Sequence, residues 1–319
     1  MFYLKFKQTP VNTTAKVSVI IPNYNHSNFL RQRIDSVLNQ TYQDFEVIIL
    51  DDCSTDNSIQ VIDEYRDHPK ISTILINTQN SGSPFLQWKK GIEMALGEWI
   101  WIAESDDWCE IEFLETLMKE IDPGVALAFC QSIFVNENGE KIWEPGWFKH
   151  SQKIDGKKFI SNHLSKGNFI TNASMCIFRR SFYDQVSEEF MQYKFSGDWI
   201  FWIEIAMQGN VVISEKPLNY FRKHQGDISG KAYVQGLGYY EYFAFLNKVG
   251  DGKVIPENIR ANVFSHKFYE FLNDRRIEKK FRKPLFKEFY SRLGPKIYFL
   301  EIKNFLSKKI KQPIKKLVR

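Results

Sequence analysis

The sequence predicts an α/β protein, with a parallel or mixed sheet flanked by helices. Two observations predict it. Short β-branched runs alternate with helical stretches of roughly 10–15 residues through the first third of the chain. Three of the strand ends then carry polar clusters: Pro22-Asn23-Tyr24-Asn25, Asp51-Asp52 and Glu104-Ser105-Asp106-Asp107. A parallel sheet gathers such ends along one edge, where ligands bind in folds of this class.

The elements follow in order. Val17 to Ile21 is a β-branched run stopped by Pro22. Ser27 is placed to cap a helix whose apolar residues Leu30, Ile34, Val37 and Leu38 repeat at helical spacing. Phe45 to Leu50 is a second buried strand and ends in Asp51-Asp52. Asp56 caps a helix carrying Ile59, Ile62 and Tyr65. Ile71 to Ile76 is a third strand, Phe85 to Leu96 a helix closed by Gly97, and Trp99 to Ala103 a fourth strand. Past Cys130 the pattern loosens, with a helix at Trp199 to Met207 and short strands at Val211 to Ile213 and Leu218 to Phe221. From Tyr233 the chain reads as helical, with Asp251-Gly252 a boundary signal. Three parts result: an extension at 1–15, a main domain at 16–230, and a helical, basic region at 231–319.

Composition bounds the class. Hydrophobic residues at 43% and charged residues at 25% suit a folded chain and exclude a disordered one. Cys53, Cys109, Cys130 and Cys176 form no CxxC pair and match no zinc spacing, so they read as reduced, mostly buried thiols of an intracellular protein. The first seven residues are too short and too interrupted for a signal peptide. No stretch approaches the ~20 apolar residues of a membrane-spanning helix. A cytoplasmic protein, soluble or peripheral to the inner face of the membrane, is expected. The net charge of +5 hides a split: Arg275 to Arg319 carries 16 Lys and Arg against three acidic residues, while the remainder has 27 basic and 35 acidic residues.

Carboxylates at strand ends suit Mg²⁺ or Mn²⁺, which take one or two protein carboxylates alongside substrate phosphates and water. One acidic pair alone would read as a solvated turn; two pairs on neighbouring strand ends, with Glu104 beside them, favour a metal site. No GxxxxGK[ST] or GxGxxG loop competes for a nucleotide. Asn80-Ser81-Gly82-Ser83 is a flexible loop, and Lys89 and Lys90 after it could neutralise a diphosphate or simply cover a solvated helix face.

These residues resemble the family 2 glycosyltransferases, which have the GT-A fold. Val17 to Asn25 is similar to their opening strand and turn. Asp51-Asp52-Cys53-Ser54-Thr55-Asp56 resembles their DDxSxD segment, and Glu104 to Asp107 their DxDD metal motif. Gly197-Asp198-Trp199 resembles their acceptor-side acidic site, and Arg222-Lys223-His224 their late R-x-H element. The likeness covers roughly residues 16 to 230. It implies a nucleotide-diphosphate sugar donor, most simply a UDP-sugar, a divalent metal (Mn²⁺ or Mg²⁺), and inverting transfer to a hydroxyl on a glycan or lipid-linked glycan. Pro22 and Tyr24 would hold the base, with the Tyr24 ring stacked on it and Asn25 shaping the turn. Asp52 would accept a base N–H, and Asp106 would contact the ribose. Glu104 stands where Asp is commoner and keeps a polar role. Asp107 would bind the metal, with His224 completing that site and Lys89 and Arg222 near the diphosphate. Asp198 would be the general base; its spacing alone would equally make it a helix cap. Gly197 stands where many members have Glu, and Cys53 where Gly is common. A QxxRW element is not found, which implies addition of a single sugar.

Two other readings are weaker. A nucleotidyltransferase would show a Gly-rich phosphate loop after the first strand, where Pro22-Asn23-Tyr24-Asn25 stands instead. A non-catalytic nucleotide- or membrane-binding module would tolerate loss of Asp107 or Asp198, and both are present. In the tail, Phe299, Ile302, Phe305, Leu306 and Ile310 recur at helical spacing among lysines, which suits an anionic membrane surface or packing on the main domain. Nothing resembles a nucleic-acid module.

Overall fold

Strands Tyr3–Gln8 (β1), Val17–Asn23 (β2), Phe45–Asp51 (β3), Ile71–Asn77 (β4) and Trp99–Ile102 (β5) begin the sheet in this computed structural model, which describes residues 3–8, 15–193, 196–224, 234–249 and 257–299. β2 runs parallel to β3 and β5, and β3 parallel to β4. Every residue of β2, β3 and β5 is buried. A strand covered on both faces needs apolar residues at successive positions, so its sequence reads as a run and not an alternation. β1 pairs antiparallel with β4, so part of the 1–15 segment belongs to the sheet.

Past β5 the sheet becomes mixed. Its further strands are Trp108–Cys109 (β6), Val125–Val135 (β7), Lys141–Trp143 (β8), Gln152–Asp155 (β9), Cys176–Arg179 (β10) and Asn210–Arg222 (β11). The order is β1-β4-β3-β2-β5-β10-β7-β11-β6, with β8 on β7 and β9 on β11. β10 joins the halves by pairing antiparallel with both β5 and β7. The two short strands expected at 211–213 and 218–221 are one strand, β11. Its register against β7 shifts around Pro217, which has no N–H to give the ladder.

Helices Ser27–Leu38 (α1), Ser58–Glu64 (α2), Pro84–Met94 (α3), Phe113–Met118 (α4), Gly156–Phe159 (α5) and Gly197–Ala206 (α6) complete this first unit, which comprises residues 1–159 and 168–226. α1 buries Leu30, Ile34 and Val37, the predicted stripe. Ser27 does not cap it. The Ser27 N–H instead donates to Asp56 Oδ2 at 2.8 Å, while Asp56 Oδ1 accepts the Ser58 N–H of α2 at 2.9 Å. One carboxylate thus serves two helix starts. Gly97 is not a helix cap either. Its N–H donates to Ser18 Oγ at 2.8 Å, and a Cβ there would stand 2.6 Å from the Ser18 nitrogen, so glycine lets the loop lie against β2. α6 is buried almost all round, as its run of apolar residues around Asp198 and Glu204 requires.

A second unit comprises residues 160–167 and 227–319. Its helices Leu237–Val249 (α7), Glu257–Asn273 (α8) and Lys279–Leu293 (α9) share an aromatic core. Phe289 lies 4.8 Å from Phe243, 5.2 Å from Phe268 and 5.3 Å from Phe271, centroid to centroid. Arg282 donates to the Phe271 and Asp274 carbonyls at the end of α8, satisfying acceptors that the helix leaves over. Among the described residues no helix is long and apolar enough to cross a membrane. The apolar-basic pattern from Ile302 to Ile310, and Asp251-Gly252, lie outside the described residues.

Candidate active site

The ends of β2 and β3 are bonded into one polar ledge. Asn23 Nδ2 donates to Asp51 Oδ2 at 2.7 Å, and the Asp52 N–H donates to the Asn23 carbonyl at 2.9 Å. Two residues here are left-handed, Asn25 at φ 56° and Cys53 at φ 65°. That backbone costs roughly 1–2 kcal/mol for a residue with a Cβ. Local bonds offset it: Asp51 accepts the N–H and hydroxyl of Ser54 at 2.8 and 2.6 Å, and Asn25 Oδ1 accepts the Thr55 N–H at 2.7 Å. The left-handed turn explains why glycine is common at the position of Cys53.

Asp52 is buried and organises the next loop. Its Oδ1 accepts Asn77 Nδ2 at 2.6 Å and Gln87 Nε2 at 2.8 Å, and its Oδ2 accepts the Ser81 hydroxyl at 2.7 Å. The lysine tied to this network is Lys90, whose Nζ donates to Asn77 Oδ1 at 2.7 Å. Lys89, the lysine expected at the diphosphate, pairs with Glu188 instead. Tyr24, expected under the base, is 46% exposed beside this ledge.

The Glu104–Asp107 turn sends its three carboxylates in different directions. Glu104 Oε1 accepts the Trp88 indole N–H at 2.8 Å, and the Glu104 carbonyl accepts Arg33 Nε at 2.9 Å. Asp107 points inward: Oδ2 accepts Asn172 Nδ2 at 2.5 Å and Oδ1 accepts the Arg222 N–H at 3.0 Å. Asp106 turns the other way, 3.1 Å from His224 Nε2. Ligand-capable atoms of His26, Asp106 and His224 all lie within 4.8 Å of one another. The metal ligand expected at Asp107 is not in this group, which has Asp106 in its place, and both Asp107 oxygens accept from buried donors. His26 joins the group, its Nδ1 fixed by Ser105 Oγ at 2.8 Å. That bond orients the ring in the manner of an outer-shell partner of a metal-binding histidine. A set of two imidazoles and one carboxylate is chemically suited to a divalent transition metal.

Electrostatics around the turn follow from crowding. Burial pushes the Glu104 carboxyl up to about 8, reinforced by Asp106 and opposed by the Trp88 hydrogen bond. Burial and the neighbouring Asp106 charge likewise push Asp107 up to about 7. Asp106 moves down: burial opposes its charge, but the His224 hydrogen bond and the nearby imidazoles outweigh it.

Arg222 braces the turn from behind. Its guanidinium donates to the Asp106 and Glu137 carbonyls at 2.8 and 2.7 Å and to Gln32 Oε1 at 2.7 Å, and lies 4.5 Å from the rings of both Phe29 and Trp108. It is directed into protein acceptors, not toward a ligand. Asp198 sits in the first turn of α6 behind Ser196, and its Oδ2 accepts Asn168 Nδ2 at 2.9 Å. Gly197 before it is tightly enclosed, since a Cβ would stand 2.4 Å from the Phe190 carbonyl oxygen. A Glu at that position has no room.

One loop ties Asp198 to the acidic turn. Asn168 holds Asp198, Asn172 holds Asp107, and Ser174 Oγ accepts the Glu104 N–H at 3.0 Å. The structure thus links Pro22 to Asn25, Asp52, Glu104 to Asp107, Asp198, Arg222 and His224 through bonded loops, and leaves Lys89 aside. Sequence reasoning missed His26, Arg33 and Asn172. His26 alone had a signal, directly following the Pro22-Asn23-Tyr24-Asn25 turn; Arg33 and Asn172 reach the site only through the tertiary fold.

A ledge of strand-end carboxylates and an Asp-His cluster that could hold a metal ion thus lie on a mixed α/β sheet. Residues 18–187 match the family model described as glycosyl transferase family 2, and the chain belongs to that family. It is 26% identical over 239 residues to the poly(ribitol-phosphate) β-N-acetylglucosaminyltransferase TarS of Staphylococcus aureus, covering 72% of this chain and 40% of that protein. It is 35% identical over 108 residues to the glycosyltransferase GlyA of Streptococcus pneumoniae, covering 33% of this chain and 15% of that one. The chain thus spans well under half the length of these relatives. The solved structure of TarS 1-349 in complex with UDP-GlcNAc superposes with a TM-score of 0.63 at 23% identity, covering 81% of this chain and 72% of that chain. The GT-A fold is the one the sequence predicts.

Proposed function

We propose that this chain is a glycosyltransferase that moves a single sugar from a nucleoside-diphosphate sugar, most simply a UDP-sugar, to a hydroxyl on a growing surface glycan, with inversion. The observation that carries the reading is the convergence of His26, Asp106 and His224, joined by bonded loops to Asp52 on one side and Asp198 on the other. Asp106, His26 and His224 are the residues that would hold a divalent cation. When bound, such a cation supplies positive charge to a diphosphate leaving group.

The chain's own groups do the rest. Pro22 and Tyr24 border the base, and Asp52, whose two oxygens both accept from protein donors, fixes the Ser81 loop beside it. Glu104 shapes the turn beside the ribose. Arg222 acts by bracing the Asp106 backbone. Asp198 takes the proton of the acceptor hydroxyl, which is a poor nucleophile until a carboxylate accepts it. Asn168 holds that carboxylate in one orientation. The acceptor is a glycan or a lipid-linked glycan. The site of action is the cytoplasm, at the inner face of the membrane, with the basic C-terminal region providing peripheral attachment.

Calorimetric titration of UDP, GDP and CMP, each with and without Mn²⁺, tests the reading. Mn²⁺-dependent binding of one nucleoside diphosphate is expected, with UDP the first choice. Absence of binding to all three, under both conditions, overturns it.

A further inference from the structure

A chain of aromatic rings on the first unit takes no part in the nucleotide site as described. Phe221 lies 5.2 Å from Phe134, Phe134 5.1 Å from Trp143, Trp143 5.8 Å from Trp147, and Trp147 5.2 Å from Phe169, centroid to centroid. The rings come from β11, β7, β8 and the two loops that follow, so the fold assembles what the sequence scatters. β8 is exposed at all three residues, and Trp143 and Ile142 are 49% and 58% exposed. An apolar surface of this kind on a folded domain marks a binding site more often than chance exposure.

Both ends of the chain of rings lie close in sequence to residues of the proposed chemistry. Phe221 is three residues before His224, and Phe169 directly follows Asn168, which holds Asp198. A patch for docking another protein has no reason to end at both places; a site for the acceptor does. Charge narrows the ligand. Residues 134–150 carry Lys141 and Lys149 against Glu137, Glu140 and Glu144, Lys141 is paired with Glu144, and Lys223 Nζ lies 3.9 Å over the Phe221 ring, so the lining is mixed in charge and not basic. A polyanion needs a basic lining. A pyranose offers flat C–H faces to aromatic rings and hydroxyls to the polar groups between them.

We propose that these five rings form the acceptor subsite and that the acceptor is an uncharged pyranose glycan, not a polyol-phosphate chain. The proposal rests on the glycosyltransferase reading above and adds the acceptor class to it. Trp143 and Trp147 supply the stacking faces, and the glycan lies along the rings with its reacting hydroxyl toward Asp198.

The test uses the full chain with Trp143→Ala, Trp147→Ala and the conservative Trp143→Phe. Binding to immobilised gluco-, galacto- and N-acetylhexosamine oligosaccharides and to poly(ribitol phosphate) is measured, beside UDP binding with Mn²⁺. The expected result is wild-type binding to a neutral oligosaccharide, weakened about 3- to 10-fold by each alanine and largely kept by phenylalanine. UDP affinity and thermal midpoint stay put, since Trp143 is half exposed. Wild-type binding to poly(ribitol phosphate) alone, to none of the glycans, or unaltered binding in both alanine variants overturns the subsite. Oligosaccharide binding through these rings in a protein that binds no nucleotide overturns the glycosyltransferase reading instead, and the acceptor role with it.

Discussion

The directions in which Asp106 and Asp107 face, together with Asp198 on α6, separate three roles under one titration. Asp106→Asn removes the carboxylate from the His26–Asp106–His224 group, so Mn²⁺-dependent UDP affinity is expected to fall by about 100-fold or more while the fold stays intact. Asp107→Asn sets an amide against the Asn172 and Arg222 donors, and is expected to cost roughly 1–3 kcal/mol in urea denaturation with a smaller loss of metal affinity. Asp198→Asn should bind UDP and Mn²⁺ normally yet lose transfer by about 100- to 10,000-fold, the usual share of a general base. Metal loss in Asp107→Asn with Asp106→Asn unaffected would restore the other assignment. The polar clusters themselves were legible in the sequence, because strand ends in a parallel sheet must meet at one edge. Which of two adjacent aspartates faces outward was not, because a tight turn rotates successive side chains by amounts that only the backbone path decides. The same holds for Lys89 and Lys90, neighbours on α3 that point to Glu188 and to Asn77.

At the scale of elements, the parallel strands could be read directly and the connections could not. Apolar runs, interrupted only by the hydrogen-bonded pair Ser18 and Glu46, set β2, β3 and β5 within a residue or two, since burial on both faces favours apolar residues at successive positions. Helix starts were misread where the cap comes from elsewhere in the chain. Asp56 was legible as a cap for α2, but its second oxygen on the Ser27 N–H of α1 depends on the two loops meeting. Burial opposes the charge of Asp56, yet its hydrogen bonds from Ser58 and Ser27 hold its pKa below the ordinary value. A carboxylate lowered in the folded state stabilises fully above its unfolded pKa, and that contribution disappears as pH falls through the folded value. Asp56→Asn is therefore expected to cost about 1 kcal/mol at pH 7. The gap between variant and wild type should close as pH falls below the ordinary aspartate value of 3.8. Urea midpoints from pH 7 to pH 3 measure this; a gap that is constant or widens toward acid would mean that the two helix starts do not depend on the charge.

Across the whole molecule the informative quantity is the division of charge, which sequence alone supplies. Residues 275–319 hold 16 basic and three acidic residues, and the rest of the chain is acidic. Six of those basic residues lie on α9, whose buried Leu285 and Phe289 face the aromatic core, so the charges there belong to a packed helix. Residues 295–319 add eight more against Glu301. Each Lys or Arg near an anionic bilayer contributes about 1 kcal/mol, and salt screens that attraction over a distance of about 10 Å at 0.1 M. The acidic remainder is repelled by such a surface, so the proposed membrane attachment rests on the terminal segment. Deleting 295–319 should abolish co-sedimentation with vesicles containing phosphatidylglycerol, and salt near ~0.5 M should do the same to the intact chain. Phosphatidylcholine vesicles should bind neither form. UDP binding should survive the deletion, since the groups proposed to hold the nucleotide all precede residue 225. Equal sedimentation of both forms with anionic vesicles would remove the membrane role from the tail. Loss of UDP binding on deletion would show instead that these residues support the folded enzyme.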